Sequence, residues 1–316
     1  MKYKPVDLAG VQTYPLAERK NKVIMAKHRA GEVRAGMTVA ELLAALPDQL
    51  GSQALLRVID AVVAARTKGK PVIMAMGAHV LKCGLQPVLK NLIEAGAVTA
   101  IALNGAGAVH DYEISLIGET SEDVGAVLHE GHFGMAEETG RDINRALKEG
   151  VAEGLGYGEA VGRFIIANAN PYLEYSLLAA CVAHDIPVTV HVALGTDIIH
   201  QHPSADGAVT GAATFTDFRL LTAVVAELGD GGVFLNVGSA VILPEVFLKA
   251  LSIAQNLGHQ VDRFTTANFD MQQHYRPLQN VVKRPTSGKS RGYTITGHHE
   301  IMLPLLAAAI LDRIPA

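Results

Sequence analysis

The chain has 316 residues, of which 49% are hydrophobic and 18% are charged, so it can bury a substantial core. Its formal net charge is −4, and the charges are interspersed without a long basic tract. This pattern predicts neither a nucleic-acid surface nor a membrane surface, and it favours a small molecule as the partner. The N-terminus lacks the apolar stretch of a signal peptide, and no apolar run reaches about 18 residues, so we expect a cytoplasmic protein.

Residues 1–35 are rich in Lys, Arg and polar groups and show no clear period. We interpret them as an arm that packs on the body or on a neighbouring molecule. The remainder, 36–316, contains no internal repeat or low-complexity linker, which predicts a single domain. It opens with Thr38-Val-Ala-Glu41, the capping-box pattern of a helix start.

Short β-rich runs then alternate with longer segments of helical period, which is typical of a parallel sheet with helices on both faces. These runs are nearly apolar throughout, as strands buried on both faces should be. The sequence therefore predicts an α/β fold with a Rossmann-like, doubly wound, mostly parallel sheet. The predicted strands are Val72–Met76, Thr99–Leu103, Arg163–Ala167, Val188–Val192, Val233–Val237 and Asp262–Thr266.

Helix signals fall between the predicted strands. Asn170-Pro171 predicts a helix from Tyr172 to His184, because Asn caps helices and Pro favours their first turn. Pro244 opens a further helix that Gly258 can end. The acidic stretch 119–153 is interpreted as a solvated, partly helical insertion.

Five predicted strands end in Gly or Asn, at Gly77, Asn104-Gly105, Asn168, Gly195 and Gly238. In an open α/β sheet the ligand lies beyond the carboxyl ends of the strands, where Gly lets the backbone approach a phosphate. The pattern favours a nucleotide or phosphate site, although such residues also simply end strands.

The segment from Gly77 through Lys82-Cys-Gly84 to Asn104-Gly-Ala-Gly-Ala-Val-His-Asp111 carries the most information. It resembles the deoxyhypusine synthases, in which a glycine-containing loop and a Gly-rich turn ending in His-Asp form much of the NAD site. The resemblance continues through Leu194-Gly-Thr-Asp197 to the Pro304-Leu-Leu ending, so it covers roughly 70–310. It implies a Rossmann-type fold, NAD as cofactor and a homo-oligomer, a tetramer with sites shared between subunits.

The resemblance also implies which residues line the site. Asp197 is expected to hold a cationic amine substrate, and Asp111 to accept ribose hydroxyls. The expected cofactor residues are Gly77, Gly105, Ala106, Gly107, Asp111, Gly238, Ser239, Thr266 and Ala267.

The family reaction oxidises a polyamine with NAD and passes the product through an imine on a lysine. Lys283 falls near the family lysine, and Lys289 in a Gly/Ser loop is the competing candidate. An imine-forming lysine must be partly neutral, which requires a lowered pKa. The Ser-Trp-Gly-Lys context of the family is absent, and the chain contains no Trp.

Histidines provide an alternative chemistry. His200 and His202 lie two residues apart, and His298 and His299 are adjacent near the C-terminus. These four could bind a metal, or His298 could act as a general acid or base. Hydrogen-bonded structural histidines are the other interpretation of each pair.

We therefore expect a deoxyhypusine-synthase-like, NAD-dependent transferase that acts on a polyamine or related amine through an enzyme imine. Asp197 would hold the amine, Lys283 would carry the imine and His298 would assist. Two alternatives stay open: a metal-dependent hydrolase or deaminase built on the histidine clusters, and a nucleotide-binding protein without catalysis.

Overall fold

The computed structural model describes residues 2–314. Its strands are β1 (Val72–Met76), β2 (Ala100–Asn104), β3 (Val188–His191), β4 (Val233–Val237), β5 (Thr265–Asp270) and β6 (Arg291–Thr296). Its helices are α1 (Met25–His28), α2 (Val39–Ala44), α3 (Leu50–Thr67), α4 (His79–Lys82), α5 (Gln86–Glu94), α6 (Gly105–Ile117), α7 (Val124–Val127), α8 (Glu137–Ala152), α9 (Tyr157–Ala167), α10 (Leu177–Ala183), α11 (Gly207–Ala226), α12 (Ile242–Asn256), α13 (Tyr275–Pro277) and α14 (His299–Leu311). Short 3₁₀ turns lie at Leu16–Glu18, Leu128–Glu130, Leu173–Tyr175 and Ile198–Gln201, and a π-helical segment lies at Leu278–Lys283.

In this part of the chain the six strands form one sheet in the order β3-β2-β1-β4-β5-β6, and every neighbouring pair is parallel. The predicted doubly wound α/β fold is confirmed. The order reverses between β1 and β4, because the chain moves outward from β1 to β3 and then returns to continue on the other side. Such a switch point is where open α/β sheets form their ligand crevice.

Alternation along β1 divides the core into two layers. Val72, Met74 and Met76 pack with α3, α5, α10 and α14, whereas Ile73 and Ala75 face α11 and α12. All five side chains are fully buried, as expected for a central parallel strand covered on both faces.

Two of the predicted helix signals are confirmed. Thr38 Oγ1 accepts from the Glu41 amide at 3.2 Å, and the Glu41 carboxylate accepts from the Thr38 amide at 2.8 Å. Helix α12 includes Pro244 in its first turn and is followed by Gly258 in a left-handed conformation with φ of +94°.

Three sequence predictions were wrong in their placement. The predicted strand at Arg163–Ala167 is the last part of α9, whose apolar residues cover one face of a helix. The strand predicted at Asp262–Thr266 begins only at Thr265, and β6 was not predicted. The helix predicted from Tyr172 begins at Leu177, because the chain first makes a 3₁₀ turn.

Helix α11 is long and apolar enough to cross a membrane by length and composition alone. It contains Asp217 and Arg219, and it packs against β3, α8 and α12. Asp217 is fully buried and accepts from the amides of Val190 and Gly158. The face of α11 that carries Asp217 therefore lies in the protein core.

Candidate functional site

The carboxyl ends of β1 and β4 meet at the switch point. Gly77 follows β1, Gly238 follows β4, and a Cβ added to Gly77 would lie 2.3 Å from the Gly238 carbonyl oxygen. Gly238 adopts φ of +66°, a conformation that suits glycine. The two loops are therefore in direct backbone contact, and their glycines are required by this close approach. Both lie at the edge of the sheet at which the sequence analysis placed them.

Ser239 continues the loop after β4 and is also buried there. Its hydroxyl oxygen accepts from the Leu243 amide at 3.2 Å, and its carbonyl accepts from Asn236 Nδ2 at 2.9 Å. Asn236 Nδ2 also donates to Asn268 Oδ1 on β5. The loop conformation is thus fixed by buried hydrogen bonds.

His299, the first residue of α14, reaches the same crevice from the end of β6. The residue is only 6% exposed, its Nδ1 has no hydrogen-bond partner, and its Nε2 lies against Gly238. Burial lowers the pKa of His299, although Asp270 at the end of β5 acts in the opposite direction. The ring is therefore neutral at physiological pH and retains a free nitrogen.

His79 and Cys83 complete this side of the crevice. Cys83 Sγ lies 3.4 Å from His79 Nε2 and 3.9 Å from the Glu300 carboxylate. Burial, followed by the charge of Glu300, raises the pKa of the Cys83 thiol. His298, the predicted catalytic histidine, is exposed and lies 3.8 Å from Glu300, so its neighbour His299 is the one that enters the crevice.

A second part of the site lies at the carboxyl ends of β2 and β3. Asn104 caps α6 by accepting from the Gly107 amide at 3.0 Å, and α6 begins at Gly105. The Asp197 carboxylate lies directly against Gly105, where a Cβ would be 2.0 Å from Asp197 Oδ2. A carboxylate in front of a helix N-terminus is favoured by the helix dipole and the free amides.

The Asp197 carboxyl group is only partly satisfied. Its Oδ2 is buried and has no hydrogen-bond partner. Burial raises the pKa of Asp197, while His200 and the Ala106 amide partly offset this effect. An unpartnered buried carboxylate oxygen is a strong acceptor for a positively charged donor.

Asp197 lines a pocket with a volume of about 420 Å³, which we call the acidic pocket. Glu113 and Glu122 contribute carboxylates to its wall, and Phe133 and Val124 contribute apolar surface. Glu113 accepts from Thr139 Oγ1 at 3.1 Å. Burial raises the pKa of Glu113, but hydrogen bonds from His110, Thr120 and Thr139 have a larger combined effect and bring this pKa below its usual range. The pocket therefore combines the negative charge of Glu113 with an apolar wall, which suits an aliphatic ammonium compound.

Lys82 also lines the acidic pocket and was not singled out by the sequence analysis. It is the last residue of α4, in the segment between Gly77 and Gly84. The sequence did offer a signal for Lys82, because this lysine lies about one helical turn after Gly77 at the switch point. The family resemblance favoured the C-terminal lysines instead, because the family lysine lies in that part of the chain.

Lys283 and Lys289 lie at the opposite edge of the sheet, so the structure does not bring either lysine to this site within one chain. Thr266 Oγ1 donates to the Val281 carbonyl at 2.7 Å, which places the end of the π-helical segment at the beginning of β5. Lys289 Nζ lies 3.7 Å from Asp262, which precedes β5. The length of β5, about 15 Å, separates them from its carboxyl end.

The late start of β5 also moves Thr266 and Ala267 away from the strand end at which they were predicted. Both are fully buried within β5 and do not reach its carboxyl end, because the strand begins later than predicted. Asp270 holds the predicted position at the strand end.

Asp111 does not have the role that the resemblance implied. It is fully buried, Oδ1 accepts from the Leu177 amide at 2.6 Å, and Oδ2 accepts from the Leu178 amide and the Ser176 hydroxyl. Burial raises the pKa of Asp111 to about 6, while these three donors act in the opposite direction. Its oxygens are used to cap α10, which leaves no acceptor for a ribose.

The four histidines proposed as a metal site do not come together. His200 and His202 follow β3, and His298 and His299 follow β6, which are the two outermost strands of the sheet. The loop after β3 reaches Gly105 at the end of β2, whereas His299 lies against Gly238 at the end of β4. Within residues 2–314, His200 Nδ1 accepts from the Gly195 amide and His202 lies between Ser204 and Glu137, and no cluster of three or more His, Cys, Asp or Glu suits a metal ion.

No family model matches the chain, and no curated protein is similar to it in sequence. Solved structures do show similarity. The cyanobacterial arginine dihydrolase ArgZ has a TM-score of 0.51 at 15% identity, over 84% of this chain and 34% of that one. AgrE, solved as a ternary complex with ornithine and NAD+, has a TM-score of 0.50 at 18% identity, over 85% of this chain and 34% of that one.

A protein from Entamoeba histolytica assigned to the deoxyhypusine synthases has a TM-score of 0.50 at 11% identity. The alignment covers 88% of this chain and 94% of that one. The chain therefore spans about one third of the length of ArgZ and AgrE, but nearly all of the E. histolytica protein. At these identities the similarity shows a shared fold.

Proposed function

We propose that the chain is a deoxyhypusine-synthase-like, NAD-dependent enzyme that acts on a cationic aliphatic amine such as a polyamine. The observation that carries this proposal is the arrangement at one edge of the sheet. The switch point, where Gly77 and Gly238 follow β1 and β4, lies one strand away from an acidic pocket that contains an unpartnered Asp197 oxygen. The structural similarity to AgrE and to the E. histolytica protein supports the same class.

The dinucleotide would lie beyond the ends of β1 and β4, because the switch point is the usual position of the cofactor in this sheet topology. Gly77 and Gly238 let the two loops pack directly on each other at this point. When bound, NAD would accept a hydride from the carbon next to the amine nitrogen. Gly105 and Ala106 face the Asp197 carboxylate, which would repel a phosphate, so we assign them to the amine side of the site.

Side chains of the protein itself would bind the substrate, accept its proton and form the imine. Asp197 would hold the ammonium end of the substrate through its unpartnered oxygen, and the negative charge of Glu113 would favour that cation in the pocket. His299, which is neutral, would accept the proton that the amine nitrogen gives up when the substrate is oxidised to an imine. Lys82, which is exposed, would lose its proton to solvent, attack the carbon of that imine to form its own imine, and release the other part of the substrate as a free amine.

Trapping tests the role of Lys82. The protein is incubated with NAD and with spermidine, putrescine or ornithine, then reduced with borohydride and mapped by mass spectrometry. We expect the added mass on Lys82, and none after Lys82→Arg, since Arg does not readily lose its proton. Lys283→Arg is the matched control and should trap normally. Label on another lysine would refute the assignment of Lys82.

His299 has a matched control in the adjacent His298. With an amine that reduces NAD, His299→Gln should slow NADH formation by roughly 100-fold or more, since it removes the proton acceptor. His298→Gln should leave the rate near that of the wild type. Equal rates for the two variants would exclude His299 as the acceptor.

A nucleotide-binding protein without catalysis is the second candidate. It is distinguished by a rise in melting temperature with NAD that is accompanied by no NADH with any of the amines. If saturating NAD leaves the melting curve unchanged, both candidates fail.

A further inference from the structure

The N-terminal arm, defined here as residues 2–27, does not pack on the rest of its own chain. Every residue of the arm is exposed, and its large apolar side chains have exposed fractions between 54% and 83%. They are Tyr3, Val6, Leu8, Val11, Tyr14, Leu16, Val23, Ile24 and Met25. Nine such side chains in one segment mark an interaction surface, because soluble proteins rarely leave so much apolar area uncovered.

Hydrogen bonding confirms that the arm is separate. Among residues 2–314, the arm's bonds join only residues within it or reach His28 and Arg29 next to it. The first bond between this part of the chain and the body is from the Gly31 amide to the Ala45 carbonyl at 2.8 Å. The arm therefore has no partner of its own within the monomer.

An uncovered apolar groove lies between α11 and α12. It has a volume of about 480 Å³, and its walls include Phe215, Phe218, Ile253 and Leu257. Phe215 is 59% exposed and Leu257 is 70% exposed. The groove is a concave apolar surface of the kind that accepts an apolar segment.

The arm and the groove lie on opposite faces of the sheet. The arm enters the body through α2, which packs on α14, whereas α11 and α12 cover the other face. A neighbouring molecule can present its groove to the arm without the chain wrapping around its own body.

Charge and size both favour a second copy of this chain. Residues 2–27 contain six basic and two acidic side chains, a net charge of +4, which leaves the rest of the chain at −8. The arm is thus attracted to a body like its own. Its 26 residues also match the 20–30 or so residues that each partner contributes to a typical stable interface.

We propose that the arm of one chain docks in the α11/α12 groove of a second copy. Reciprocal docking of two arms forms a closed two-fold dimer, the commonest closed symmetry. The tetramer implied by the family resemblance stays a prediction, and two such dimers could form it through other surfaces. The proposal is independent of the proposed catalytic function.

The test uses the full-length protein in sedimentation velocity over a micromolar concentration series. We expect a species of at least twice the 33.4 kDa of the single chain. Leu8→Glu in the arm or Leu257→Glu in the groove should weaken dimerisation by at least about tenfold, because each buries an unpaired charge. Both residues are exposed in the monomer, so neither change should unfold the body.

Matched controls place the same charge elsewhere. Thr13→Glu changes a polar position of the arm, and Ile117→Glu changes an apolar residue that is 57% exposed at the end of α6, outside the groove. These two variants should assemble like the wild type. A monomeric wild type, or equal weakening by Ile117→Glu and Leu257→Glu, would overturn the proposal.

Photo-crosslinking identifies the contact itself. Benzoyl-phenylalanine replaces Tyr14 in ¹⁵N-labelled protein, which is mixed with unlabelled protein and irradiated. We expect crosslinks between labelled and unlabelled peptides, with the unlabelled peptide drawn from α11 or α12. Crosslinks confined to one chain, or mapped to other helices, would overturn the assignment of the groove.

Discussion

Asp111 in the protein interior and Asp197 at the acidic pocket differ in how fully their carboxylates are hydrogen-bonded, and we infer different roles for them. Asp111 is fully buried, and its carboxylate receives three hydrogen bonds that hold the start of α10. Asp197 lies at a pocket wall and retains one buried oxygen without a partner. A fully satisfied buried carboxylate contributes to the fold, whereas a partly satisfied one at a cavity is available to a ligand.

The most disruptive test of this comparison is Asp111→Ala. It leaves the Leu177 and Leu178 amides buried without an acceptor, so we expect a loss of roughly 4 kcal/mol in the free energy of unfolding. Urea denaturation measures this loss. Asp123→Ala is the control, since Asp123 precedes α7 without a side-chain capping bond. A loss below that of an ordinary surface substitution would show that the capping bonds are dispensable.

The pH dependence of stability sharpens the same contrast. Burial raises the pKa of Asp111 to about 6 in the folded protein, against about 3.9 for an unperturbed Asp. The folded state therefore holds this proton more tightly, so the free energy of unfolding falls as pH rises from about 4 to 6 and then levels off. The contribution of Asp111 is on the order of 3 kcal/mol. Asp111→Asn should flatten this part of the profile, and an unchanged profile would contradict the assignment.

In contrast to Asp111→Ala, we expect Asp197→Asn to affect ligand binding more than stability. Its carboxylate supports no buried donor comparable to those around Asp111, so we expect the free energy of unfolding to change by less than about 1 kcal/mol. Spermidine binding, measured by calorimetry in the presence of NAD, should weaken by at least about tenfold because a charge-assisted bond is lost. Glu119→Gln removes an equal charge from an exposed position and should bind normally. Equal weakening in both variants would show that binding depends on the overall charge of the protein and not on the position of Asp197.

A surface cap gives the smallest effect. Thr38 caps α2 with the same type of hydrogen bond as Asp111 makes, but water can replace it. We expect Thr38→Ala to lower the free energy of unfolding by about 1 kcal/mol. Calorimetric melting measures the change, and a loss as large as that of Asp111→Ala would remove the distinction between buried and exposed caps.

The regular part of the fold could be predicted from sequence because it depends on local patterns. Apolar runs bounded by Gly predict β1 and β4, and both strands match their predicted bounds. The run Arg163–Ala167 has the same composition but belongs to a helix, because short apolar runs fit either period. Strand β6 was missed since its residues are largely polar or partly exposed at the sheet edge.

The candidate site was harder to predict, because its residues are brought together by strand order. His200 and His299 look like members of one set in the sequence, yet strands at the two outer edges of the sheet carry them. Asp111 and Asp197 each stand beside a glycine-rich segment, and only their hydrogen-bond partners distinguish them. Lys283 was favoured by its distance from the C-terminus, which does not indicate the edge of the sheet on which a residue lies.

The contact between Gly77 and the Gly238 carbonyl has a consequence for variation at these positions. A single methyl group on residue 77 would lie 2.3 Å from a backbone oxygen that is itself held by two strands. No rotamer change can relieve that overlap, and neither strand can shift without breaking its ladder. In a saturation library selected only for folding, position 77 should therefore accept glycine alone, while nearby Gly84, with open space around its Cα, should tolerate Asn.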